Sequence, residues 1–154
     1  PLSRIAPGLY LGNSTAAEDT RLLQSLGITH VLNVTEELPM VEWAPSMRIT
    51  LADMAHANLL DTFEDALGFI DLALGDQRDV KAFTNARGIL VHCLMGRSRS
   101  ASIIIAYIMR KYKLNYRAAH TYVHSKRPII WPNLGFVNQL NLWGEWGCKV
   151  DRES

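Results

Sequence analysis

The stretch Gly88-Ile89-Leu90-Val91-His92-Cys93-Leu94-Met95-Gly96-Arg97-Ser98-Arg99-Ser100 decides the fold. Its first half is a short, unalternating apolar run of the kind shown by a strand buried on both faces. Its second half is a loop of Gly, Ser and Arg, and from about Ser100 a long helix follows, carrying Ala101 and the run Ile103 to Met109. In a strand, tight loop and helix, the N–H groups of the loop and of the first helical turn converge on one small volume, which favours an anion. Gly96 lets the loop wrap tightly, and Ser98 and Ser100 add hydroxyl donors. Arg99, six positions after Cys93, supplies a planar fork that grips two oxygens of a phosphate. The same positive field favours the thiolate of Cys93 and makes it a nucleophile.

Outward from this stretch, strand and helix signals alternate. Towards the N-terminus, Leu9 to Leu11 is a short strand after the turn Ala6-Pro7-Gly8. Thr15-Ala16-Ala17-Glu18 has the form of a capping box opening a helix that Gly27 ends. Ile28 to Val34 and Arg48 to Leu51 read as strands. Phe63, Ala66, Leu67, Ile70, Ala73 and Leu74 fall on the spacing of an amphipathic helix stopped by Gly75. Beyond the long helix, Tyr116 to Lys126 is a helix capped by Asn115, and a last helix runs from Asn133 to about Trp146, with Phe136, Leu140 and Trp143 on one face. The order predicts an α/β fold: a central mixed sheet flanked by helices, with the phosphate loop between a central strand and a helix.

Composition bounds the function. The chain has 154 residues, 48% hydrophobic, which gives one core and a single domain over 1–154. With 16 Lys and Arg against 15 Asp and Glu, the net charge of +1 gives no reason to expect nucleic acid or an acidic membrane as partner. Any basic site is local. Its longest apolar run is far below the ~18 residues of a membrane span. Two cysteines, Cys93 and Cys148, make no disulfide framework, and an interior thiol among arginines suits a reducing compartment, so the expected location is intracellular, cytoplasmic or nuclear.

The Cys-x5-Arg loop, as His92-Cys93-x-x-Gly96-x-Ser98-Arg99-Ser100, resembles the signature of the dual-specificity members of the protein tyrosine phosphatases. Pro7 to Gly12, Leu26 to Val34, and Arg127-Pro128 leading to Pro132-Asn133-Leu134-Gly135-Phe136 are similar to family segments, so the resemblance covers nearly the whole chain. It implies hydrolysis of phosphate from protein tyrosine and serine/threonine residues through a phosphocysteine intermediate, with a phosphoprotein as substrate and no metal or cofactor. It also implies a general acid on a loop after an earlier strand, and Asp53 stands at that position. Asp61, near a helix start, is the next candidate.

The residues so assigned are Cys93 as nucleophile, Arg99 as phosphate fork, Asp53 as acid and base, and Ser100 as partner of the departing thiolate. Leu94, Met95, Gly96, Arg97, Ser98 and Arg99 form the phosphate-binding loop. His92 precedes the nucleophile on a strand, so its side chain points to the opposite face and orients the loop rather than acting as a base. Asn133 caps its helix and, by the resemblance, helps to hold the site. Arg97 is free to project to the rim and favour acidic residues beside the phosphate. Cys148 reads as packing or a surface thiol, and Trp131, Trp143 and Trp146 as packing and rim. An inositol-lipid or RNA phosphatase of the same superfamily, or a catalytically weak phosphoprotein-binding module, is the alternative function. Gly96 to Ser100 lacks the second glycine and the lysine of a nucleotide-binding P-loop. The segment 75–87 reads as an exposed insertion with an extra helical turn.

Overall fold

A computed structural model describes residues 1–75 and 87–149. Apart from its two ends, the insertion expected at 75–87 lies outside the described residues. Five strands, β1 (Leu2–Ala6), β2 (Leu9–Gly12), β3 (His30–Asn33), β4 (Ser46–Arg48) and β5 (Ile89–His92), form one mixed sheet in the order β1-β2-β5-β3-β4. β1 and β2 pair antiparallel, and the remaining neighbours are parallel. β5 is central. All four of its residues are buried, because helices cover both faces of the sheet.

The two faces bury separate clusters, and β5 feeds both by strand alternation. Ile89 and Val91 join the larger core, whereas Leu90 joins Ala17, Leu23, Ile28 and Val31 in a smaller one. The smaller core lies under α1 (Ser14–Glu18) and α2 (Thr20–Ser25). The larger lies under α3 (Phe63–Leu74), α4 (Arg99–Tyr112), α5 (Tyr116–Lys126) and α6 (Leu134–Glu145). From Ala101 to Met109 every residue of α4 is buried, since α4 packs against the sheet and against all three of the other helices on its face. The Phe63 and Trp143 rings meet edge to face at 4.8 Å, and the Trp143 indole N–H donates to the Ala106 carbonyl. Helix ends follow local chemistry. Gly75 at φ 67° stops α3, Lys113 at φ 55° stops α4, and the side chains of Asn115 and Asn133 cap α5 and α6.

Two expectations are corrected and one strand is added. The single helix from Thr15 to Gly27 is two short ones, and the Thr15–Glu18 capping box does not form. Asn13 instead caps α1 by accepting from Ala16 N–H at 2.9 Å, and Asp19 restarts the chain as cap of α2 through Leu22 N–H at 3.1 Å. Asn and Asp outrank Thr at such positions. The strand expected at Arg48 to Leu51 lies at Ser46–Arg48, because its partner β3 ends at Asn33, opposite Arg48, and only the Ile49 N–H still reaches the Asn33 carbonyl. β1 was not foreseen at all. It is an edge strand whose Ser3 and Arg4 hide the apolar signal.

Candidate active site

The loop from Cys93 to Ser98 is oriented through its carbonyls. Leu94 O accepts from Ser14 N–H at 3.0 Å, Arg97 O from Trp131 N–H at 2.7 Å, and Ser98 O from Ser102 N–H at 2.9 Å. The buried guanidinium of Arg127 takes the two between: its Nε donates to Gly96 O at 2.9 Å and its Nη2 to Met95 O at 3.4 Å, with Nη1 donating to Ser3 Oγ. A trans peptide is planar, so its C=O and the next N–H point in opposite directions. Fixing five consecutive carbonyls outward therefore turns the amides of residues 95 to 99 inward. Gly96 N–H shows the result, donating to Cys93 Sγ at 3.3 Å. Gly96 itself is required: at φ 66° a Cβ would lie 2.7 Å from both the Gly12 carbonyl and Arg127 Nη2.

Within this cradle Cys93 is buried, with its Sγ 3.0 Å from Ser100 Oγ. Arg99, also buried, does not hang free. Its Nη1 and Nη2 donate to the two carboxylate oxygens of Glu37 at 2.8 and 2.9 Å, and Nη1 donates also to Leu51 O at 3.2 Å. Of the five guanidinium hydrogens, these bonds leave the Nε–H and one Nη2–H, the side edge that makes a two-point contact with a phosphate. Glu37 lowers its own pKa by this pairing and raises that of Arg99. Sequence reasoning missed Glu37. The signal was its place just after β3, since the parallel neighbours β3 and β5 deliver their following loops to the same end of the sheet. That loop is laced by Asn33 and Thr35 side chains and by Arg48, whose guanidinium donates to Thr35 O and Leu38 O.

Asp53 comes from the loop after β4 and is exposed at the mouth. Asn133 fixes it there. Its Nδ2 donates to Asp53 Oδ1 at 2.9 Å while its Oδ1 accepts from Phe136 N–H and its own N–H donates to Ser98 Oγ at 3.0 Å. One asparagine thus ties the Asp53 loop, the α6 N-terminus and the Cys93 loop together. Cys93, Arg99, Ser98, Asp53, Met95 and Trp131 border a cavity of about 380 Å³. Asp61 is not part of it and pairs with Asn58 at the start of the 3-10 turn Leu60–Thr62. Arg97 is exposed on the border of the same cavity, and its Nε also donates to Ile129 O at 3.2 Å, so its head group braces the loop after α5 as well. Of the tryptophans, Trp143 is core and Trp131 is exposed at the mouth, while Cys148 packs partly buried against the larger core.

His92 lies on the face of β5 opposite the larger core, against a second cavity bordered by Ala17, Leu38, Val41 and Trp43. Burial pushes its pKa down to about 4, with a smaller downward push from Arg48, against a hydrogen bond with the Cys93 backbone that acts upward. The imidazole is therefore neutral at pH 7.

The comparisons with known proteins agree with this geometry. The family model described as dual specificity phosphatase, catalytic domain, matches residues 9–145. Dual specificity protein phosphatase MPK-4 of Drosophila melanogaster is 36% identical over 156 residues, covering 97% of this chain and 38% of its own length. Dual specificity protein phosphatase 14 of Mus musculus is 36% identical over 159 residues, covering 97% and 74%. The chain thus spans well under half of the fly relative. Among solved structures, the Yvh1 phosphatase domain from Chaetomium thermophilum superposes with a TM-score of 0.84 at 32% identity, covering 98% of this chain and 99% of that one.

Two measurements check the site's construction. Arg127→Leu leaves the Met95 and Gly96 carbonyls without their donor, at a cost of about 1–3 kcal/mol for each buried group. The variant is expected to melt lower and to lose at least ~10-fold in kcat/KM on a small aryl phosphate as the loop amides lose their aim. Unchanged kcat/KM would show that the loop holds its shape without this brace. The second concerns pH. An unfolded His92 titrates near 6.5 and the folded one at about 4, so between these values the unfolded chain binds the extra proton. Stability from this group is complete above about pH 6.5 and falls by about 3 kcal/mol as pH drops through the window. Urea melts of His92→Asn should show a shallower loss than wild type over that range, and equal slopes would remove His92 as the source.

Proposed function

Because the chain belongs to the dual specificity phosphatase family, we propose that it hydrolyses phosphate monoesters on tyrosine and serine/threonine residues of proteins through a phosphocysteine intermediate. The observation that carries this reading is Cys93 Sγ at the focus of a loop whose carbonyls from Leu94 to Ser98 are tied outward, in contact with Gly96 N–H and Ser100 Oγ. Cys93 thiolate attacks phosphorus in line. The ester P–O bond breaks, and Asp53 gives its proton to the departing oxygen. Loop amides and the free edge of Arg99 hold the three equatorial oxygens as charge builds on them. Water then attacks the thiophosphate, Asp53 takes its proton, and the S–P bond breaks to return the thiolate, which the Ser100 hydroxyl stabilises.

Glu37 acts as a positioning residue, holding the guanidinium so that one edge faces the phosphate. The substrate is a phosphoprotein, and both named relatives are protein phosphatases, which disfavours a lipid or RNA ester. A nucleophilic thiol works only while reduced, so the protein acts in an intracellular, reducing compartment, cytoplasmic or nuclear. Among the described residues no helix is long and apolar enough to cross a membrane.

Turnover of phosphotyrosine and phosphothreonine peptides, with Cys93→Ser as control, tests the assignment. The substitution should abolish turnover while the loop still binds the phosphopeptide, because binding uses amides and Arg99 rather than the thiol. Residual turnover at wild-type rate would overturn it. Leaving groups test Asp53, since a general acid matters in proportion to the basicity of the oxygen it protonates. Asp53→Asn is expected to slow phosphothreonine hydrolysis by ~10² to 10⁴, and a nitrophenyl ester far less. Equal slowing of both would assign Asp53 a structural part and move the search for the acid elsewhere.

A further inference from the structure

Next to the phosphate cavity lies a groove of about 290 Å³ between α5, the 127–132 loop and the start of α6. Trp131 borders both spaces. The groove continues past it along Ile130, Pro132, Leu134 and Val137, with Tyr116, His120 and His124 as the far wall. Two of these side chains are unusual. Leu134 is 79% and Trp131 76% exposed, the highest values among the large apolar side chains of the described residues. A lone exposed leucine needs no explanation, but two beside a catalytic cavity, with Met95 and Ile129 also exposed nearby, form the kind of patch that marks a contact surface.

The geometry points to an apolar specificity subsite: the groove takes a large aliphatic or aromatic side chain of the phosphoprotein substrate, a few residues from the phosphorylated one. This rests on the phosphatase reading and refines it. Size fits the occupant, since a cavity of ~150 Å³ already holds a benzene ring. So does charge. Among the described residues no Lys, Arg, Asp or Glu borders the groove, and the far wall is an aromatic ladder, with Tyr116 and His120 rings 5.6 Å apart and His120 stacked on His124 at 5.7 Å. Burial, and then His124, lower the His120 pKa, so the wall disfavours charge on that ring.

Reach fits as well. An extended peptide advances ~3.3 Å per residue, so a groove sharing a wall with the phosphate cavity is met within a few positions of the phosphoresidue. The subsite is also braced. Trp131 N–H donates to the Arg97 carbonyl while Arg97 Nε donates back to the Ile129 carbonyl, so the loop that presents Trp131 is fastened to the phosphate loop in both directions. That brace uses one of the five N–H groups of Arg97, whose exposed head group stays on the border of the phosphate cavity.

The test is a set of phosphotyrosine peptides in which one flanking position at a time carries Phe, Leu, Asp or Lys, with a small aryl phosphate as the ester that cannot reach the groove. Wild type should prefer Phe or Leu at one position by ~10-fold or more in kcat/KM, as expected for burying most of such a side chain. Leu134→Ser and Val137→Ser should each erode that preference severalfold and leave the aryl phosphate unchanged within about twofold. No apolar preference, or a preference that survives both substitutions, overturns the subsite. Anisotropy binding of the same peptides to Cys93→Ser reads the groove without turnover, so the subsite is tested even in a chain that fails as a phosphatase. Sedimentation with neutral phosphatidylcholine vesicles covers the remaining occupant: Leu134-dependent vesicle binding without peptide preference would assign the patch to a lipid surface and reject the proposal.

Discussion

Everything at this site depends on a planar peptide bond that cannot point its oxygen and its hydrogen the same way. Anchoring the carbonyls of residues 94 to 98 on the scaffold is what aims the amides of the phosphate loop. The anchors come from distant parts of the chain: the start of α1, the end of α5, the loop before α6, and α4 itself. The cradle is therefore a property of the folded domain rather than of the signature alone. Arg127 is the costliest member, a buried guanidinium whose pKa is pulled down by burial and pushed up by the Cys93 thiolate nearby. That burial is tolerated because three of its nitrogens have acceptors.

The same logic divides the hydrogens of Arg99. A guanidinium on a flexible stem loses rotamer freedom each time it grips a ligand, and fixing it beforehand removes that cost from binding. Glu37 and Leu51 O fix it by taking one end of the fork, and the side edge stays available. A carboxylate this close to a phosphate site also repels the anion at longer range. Glu37 is nearly half exposed, so water screens much of that repulsion, while the direct bonds to Arg99 are not screened in the same way.

The sheet and the loop were legible in the sequence because their signals are local. Burial on both faces gives β5 its unbroken apolar run, and the nucleophile, glycine and arginine follow at fixed offsets. Asn115 and Asn133 were legible as caps for the same reason. What was not legible depends on pairing across the fold. Arg127 and Glu37 carry no local pattern that separates a buried brace from a surface charge, and their partners are 31 and 62 residues away. β1 escaped because an edge strand can be half polar. The α1–α2 break escaped because Asn13 and Asp19 each offer a better cap than Thr15, a competition that spacing alone does not rank. The bond of Arg97 to the Ile129 carbonyl escaped because that target comes within reach only once α5 and the loop after it are folded back.

The N-terminus of α6 draws these parts into one device. Asn133 holds Asp53, and two positions on, Gly135 lies so close to the backbone of Ala55 that any Cβ would overlap the Ala55 carbonyl. One turn later, Gln139 accepts from Leu59 and Leu60 N–H through Oε1 and donates to Ala57 O through Nε2. The loop that carries Asp53 is thus laid along the first two turns of α6 with no clearance, and its place is set by a helix rather than by its own sequence. Leu134 sits between Asn133 and Gly135, facing out. The exposed side chain that borders the groove and the asparagine that holds Asp53 are thus neighbours at one helix start, a support made rigid by the Gly135 and Gln139 contacts.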